Sequence, residues 1–137
     1  WRMLPFGVSP VGVLMAAVVT FLIGMIWYSP ILFAKPWMAL NGYTPDKLVE
    51  LKQGAPRAYG VSFLAYLLLG VGIAAVVRFD SPLGGMWTGM QVWTFLVMPV
   101  SLTGLVFSDR RLGAWLIDAG YQLVYFAAMG AILSRWG

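Results

Sequence analysis

The chain has 137 residues, of which 61% are hydrophobic and 10% charged, with nine Lys and Arg against five Asp and Glu and neither cysteine nor histidine. So few charges exclude a water-covered surface, since soluble domains are roughly a quarter charged. The missing residue types exclude disulfides, thiolate nucleophiles, zinc sites of the usual ligand set and histidine-ligated haem.

The mean hydropathy is +0.82, and the formal charge of +4 is dispersed between apolar blocks. A basic patch for nucleic acid is therefore absent, and anionic lipid headgroups are the expected partners.

The first block, Val8 to Tyr28, is uncharged and spans about 30 Å as a helix, the thickness of a hydrocarbon core. Pro30 is expected to stop it. The chain opens on Trp1 and shows no small-residue cleavage pattern after this block, so a retained helix is expected and not a signal peptide.

The segment from Ser29 to Ala58 is the one long connection. Thr44 can cap a short helix with Pro45 at its first position, Asp46 in its first turn, Lys52 in its last and Gly54 just beyond. Leu48 and Leu51 give it an apolar edge suited to the membrane surface.

Three further blocks follow, at 59–77, 86–107 and 112–134. Pro99 inside the third frees the carbonyl of Phe95 and should bend the helix, with Thr94, Ser101 and Thr103 near enough to resatisfy the backbone. Unpaired amides are costly in lipid and four blocks cannot close a barrel. The expected fold is thus all-α, a single integral membrane four-helix bundle over residues 1–137 with a short interfacial helix in the first long loop.

Arg2, Arg78 and Arg135 fall on the face holding both termini, against Lys35, Lys47, Lys52, Arg57, Arg110 and Arg111 on the other. The positive-inside rule then puts the long loop in the cytoplasm and both termini outside. Trp27, Tyr28, Phe33 and Trp37 cluster at one side, Phe79, Trp87 and Trp136 at the other. Anchoring at headgroup level is the normal use of such rings, a ligand-stacking cage the rarer one. Small residues recur four apart at Ala16, Thr20 and Gly24, at Gly70 and Ala74, at Gly85 and Gly89, and at Ala127 and Ala131, a spacing that lets helices approach closely.

One polar constellation stands out. Arg111, Trp115, Asp118, Gln122, Tyr125 and Met129 follow steps of three and four and share a helix face. Asp118 is the only acid in any expected span, roughly 10 Å along the helix from Arg111. Holding a charge at mid-span costs about 2.5 to 3.5 kcal/mol, so Asp118 must turn inward and find a partner among Trp27, Tyr28, Ser101, Thr103 and Arg111. A structural bond between first and fourth helices is preferred over a proton or substrate site on Asp118 and Gln122, because a relay needs several ionisable groups. No paired carboxylates or acid cluster suggests catalysis.

The run Gly24-Met25-Ile26-Trp27-Tyr28-Ser29-Pro30-Ile31-Leu32-Phe33-Ala34-Lys35-Pro36-Trp37 resembles the signature of a bacterial membrane family, domain of unknown function 1761. Trp115-Leu116-Ile117-Asp118-Ala119-Gly120-Tyr121 resembles its second marked segment. Glycine is usual in that family where this chain has Ala34. The resemblance implies a four-span bundle of the bacterial cytoplasmic membrane and brings no activity, cofactor or catalytic residue.

The residues singled out as structural or ligand contacts are Trp27, Tyr28, Trp37, Asp118, Tyr121 and Gln122. The expected function is non-enzymatic, without metal or cofactor: an accessory or structural subunit of a larger membrane complex with a protein partner. The alternative is a small transporter or lipid or ligand carrier using the Asp118 stripe.

Overall fold

The computed structural model describes residues 7–29, 32, 34–42, 44–77, 80–108 and 112–136. Arg2, Pro30, Phe33, Arg78, Phe79, Arg110 and Arg111, which carry expectations above, lie outside the described residues, as do the side chains of Lys47, Leu48, Leu51 and Lys52. The described elements are helical: α1 (Pro10–Trp27), α2 (Ala34–Asn41), α3 (Pro45–Val77), α4 (Pro82–Val92), a π-helical turn (Trp93–Val97), α5 (Met98–Ser108) and α6 (Leu112–Trp136). Four stretches are long and apolar enough to cross a membrane: Pro10–Trp27, Gln53–Val77, Pro82–Ser108 and Leu112–Trp136.

Two of these spans open on the same dipeptide. Ser9 and Ser81 sit in extended backbone as N-caps, each accepting a bond from the amide three residues on (Gly12 and Gly84), and each is followed by proline at the first helical position. Serine satisfies an orphan amide, and proline has none to lose. This cap starts the third span at Pro82, a turn ahead of the expected Met86.

The long connection does contain a short helix, but it is α2. The chain turns out of α2 at Gly42, whose φ of +69° suits a residue without Cβ. Gly54, expected to end a helix begun at Pro45, stays helical, and so does Pro56. The expected loop helix is thus about the first quarter of the 33-residue α3. Pro56 removes one amide bond close to the polar end of the span, where water can take the freed carbonyl.

The third span departs from α geometry at Trp93–Val97, where the Met98 amide reaches back to the Trp93 carbonyl. This wide turn lies immediately before Pro99 and gives its ring the room that a regular turn denies. Thr94 donates to the Met90 carbonyl and Thr103 to that of Val100. Neither bonds Phe95, while Ser101 accepts from the Trp115 indole.

The spans assemble around α6, which meets α1, α3 and α4. Its Phe126, Met129 and Leu133 are fully buried, together with Val77 of α3 and Thr20 of α1. At the α4–α6 crossing the backbones touch. A Cβ on Gly85 or Gly89 would land on the carbonyl of Gly130 or Phe126, and one on Gly130 would strike that of Gly85. The partner of the Gly85 and Gly89 pair is therefore Gly130, with the Ala127 and Ala131 pair only half-buried. Ala16 and Ala74 are buried as well, and Gly70 receives Val13 of α1.

Candidate functional site

The site grows from the loop end of α1. Trp27 closes that helix and Tyr28 follows it, so their side chains reach α6 side by side. The Trp27 indole donates to the Ile117 carbonyl at 3.0 Å, with its ring lying over Gly120. One residue on, the Tyr28 hydroxyl donates to Asp118 Oδ1 at 2.5 Å. From α2, whose Leu40 packs on Gly113, the Trp37 indole donates to the same oxygen at 2.9 Å. One helix end and one loop helix thus converge on a single carboxylate.

Such bonds to an ionised acceptor are worth about 1.5 to 3 kcal/mol each. Together they offset the cost of holding an acid in a span. Of the partners expected for Asp118 among the described residues, Tyr28 takes the role, and Arg111 lies outside them. Trp27 serves the neighbouring backbone carbonyl instead, and Ser101 and Thr103 bond elsewhere. Trp37 does more than anchor at the headgroups.

Tyr121 and Gln122 lie one turn further along α6. The Tyr121 hydroxyl donates to the Thr20 carbonyl at 2.9 Å and meets the Tyr66 hydroxyl at 3.1 Å. Gly24 makes room for it, since a Cβ there would come within 2.8 Å of that hydroxyl. Gln122 turns the other way and accepts from the Trp93 indole at 3.1 Å, tying α6 to the π-helical turn. Among the described residues no buried polar side-chain atom lacks a partner, and no cluster of metal-ligating side chains occurs.

Two rings that the sequence reading passed over, Phe21 and Tyr66, complete the site. Phe21, Tyr66, Tyr125, Tyr121, Tyr28 and Trp37 follow one another with centroids 4.8 to 5.5 Å apart, the spacing of mutually attracting aromatic pairs. A signal was present: Tyr59, Phe63 and Tyr66 step by four and three along α3, and Tyr121 and Tyr125 by four along α6.

Two cavities flank this chain of rings. A cleft of about 560 Å³ is walled by Phe21, Tyr28, Trp37, Tyr59, Tyr66 and Tyr121, with Gly24, Met25 and Ser62 between them. On the far side lies a smaller cavity of about 280 Å³ that receives Asp118, Gln122, Ser101 and Trp115. Tyr28, Tyr66 and Tyr121 line both. Hydroxyls and a carboxylate thus stand behind a wall of rings whose open side is apolar.

The family described as "Protein of unknown function (DUF1761)" matches residues 11–134, and the chain belongs to it. No curated protein and no solved structure matches the chain.

Proposed function

Taking that family membership and the four apolar spans as the premise, we propose that the protein is a non-enzymatic membrane protein that holds a small, membrane-soluble ligand in the aromatic cleft. The observation that carries this reading is the cleft itself, about 560 Å³ behind six rings, within the size range of ligand pockets and of their usual lining. Packing alone does not call for such a space, because helices associating in lipid gain from close contact. The Asp118 bonds fix two walls of the cleft, Tyr28 and Trp37, in place.

Ser62 lines the cleft from α3, and Ser62→Trp would fill it. Mass spectrometry of the protein extracted gently from its own membrane should find a defined small molecule on the wild type and none on the variant. If both carry the same bulk lipids in the same proportions, the reading fails.

A second reading, an accessory subunit of a larger membrane complex, is favoured by the third span. Phe95, Leu96, Val100, Val106 and Phe107 of that span are all exposed, the kind of surface that either acyl chains or another protein's helices cover. A photoreactive group placed at Phe107 in native membranes separates the two. Adducts with one recurring protein support the subunit role, and adducts with lipid alone count against it.

A further inference from the structure

The chemistry of the cleft narrows what it takes, and this step rests on the ligand-binding reading above. Six aromatic side chains wall the space, and the face of an aromatic ring is the negative end of its quadrupole. A cation with weakly bound water gains from each ring it lies against, and aromatic cages are the recurring hosts of quaternary ammonium groups.

A carboxylate stands behind two of those rings. The Tyr28 hydroxyl and the Trp37 indole both donate to Asp118 Oδ1, at 2.5 and 2.9 Å. A donor bonded to a carboxylate is polarised toward its own ring, which becomes a better host for positive charge. Asp118 is the only acid in the four described spans, and none of the residues lining the cleft is basic.

The way in is apolar. Met25 and Tyr59 line the cleft yet are 67% and 63% exposed, so it opens between α1 and α3 toward the acyl chains. A strongly hydrated ammonium such as that of lysine would resist entering from hydrocarbon, whereas an alkylated or arylated cation would not. We propose that the cleft binds lipophilic organic cations of the quaternary ammonium or phosphonium type, the charge resting on the Tyr28, Trp37 and Tyr66 rings and the apolar substituents facing the bilayer.

The test is calorimetric titration of the full chain in maltoside micelles with tetraphenylphosphonium and with tetraphenylborate, an anion of matching size and shape. The phosphonium should fill one saturable site per chain and the borate none. Tyr59→Leu removes a wall ring that takes no part in the Asp118 bonds and should weaken phosphonium binding by about tenfold, the loss of one good cation–π contact. Asp118→Asn should weaken it at least as much, and Ser62→Trp should abolish it. Should Asp118→Asn fail to fold, the borate titration and Tyr59→Leu decide. Equal binding of both ions, lost together in Ser62→Trp, overturns the preference for cations and leaves the cleft a ligand site. Saturable binding of neither ion overturns the proposal, and a wild type that also carries no defined small molecule removes the ligand reading with it.

Discussion

Asp118 shows how one charged side chain is kept in an apolar span. Its Oδ1 receives both the Tyr28 hydroxyl and the Trp37 indole, so each donor would be left unpaired in a buried setting if the acceptor went. Asp118→Leu should therefore cost more than Asp118→Asn, which keeps an acceptor oxygen but loses the charge that makes such bonds strong. We expect about 1 to 3 kcal/mol for the Asn variant, read as a lowered midpoint of thermal unfolding in detergent. Tyr28→Phe and Asp118→Asn combined should cost clearly less than the sum of the two alone, because both remove the same bond. Additive losses in that double-mutant cycle would show that the bond does not tie α1 to α6. The residue types here were readable in advance, since a lone acid in a span must turn inward. Which donor would reach it was not: Trp27 and Tyr28 are adjacent, and only the end of α1 decides that the second meets the carboxylate and the first a backbone carbonyl.

At the scale of elements, glycine has opposite consequences at different places on the helices. Gly89 and Gly130 lie where α4 and α6 touch backbone to backbone, and a Cβ at either position would strike a carbonyl of the other helix. Gly72 lies mid-helix in α3 with nothing within 4 Å of where its Cβ would stand. Gly89→Ala should destabilise by about 3 kcal/mol, the upper end for overpacking, since backbone cannot step aside as a side chain can. Gly72→Ala should stabilise by about 0.5 to 1 kcal/mol through helix propensity alone. Unfolding curves of the two variants in one detergent would check the contrast, and equal effects would contradict the crossing. Spacing by four made Gly85 and Gly89 visible in the sequence, but which residues of α6 face them, Gly130 with Ser134 four residues on, is set by the crossing and not by that spacing. Helix ends were legible only in part, for a similar reason. Thr44-Pro45 and the Ser-Pro pairs at 9 and 81 are local start signals, yet whether Gly42 or Gly54 ends a helix depends on which of them takes positive φ. α2 docks on α6 just ahead of Gly42, whereas α3 runs on through Gly54 as one helix.

At the scale of the whole molecule, the helix that the others enclose is the one that carries the acid of the four described spans. α6 carries Asp118, Gln122, Tyr121 and Tyr125 inward, while large apolar side chains such as Leu22, Leu68, Phe95 and Val106 face outward. The soluble pattern is thus inverted, and four consecutive spans that each cross a bilayer once run alternately up and down. The connection holding α2 then lies on the same side as the end of α5, opposite the α3–α4 connection. Six of the nine basic residues fall on the α2 side, so we propose that this side faces the cytoplasm. The chain holds no cysteine, which makes single-cysteine labelling clean. Lys35→Cys and Ser108→Cys, both at exposed positions, should resist a membrane-impermeant maleimide in intact cells and react once the membrane is opened. Leu83→Cys, at a position 75% exposed, should react without opening it. The reverse pattern would invert the orientation and leave the bundle intact. Lys35→Cys and Leu83→Cys reacting from the same side would contradict α3 as a span, and with it the arrangement that brings Tyr66 to Tyr121 within the membrane.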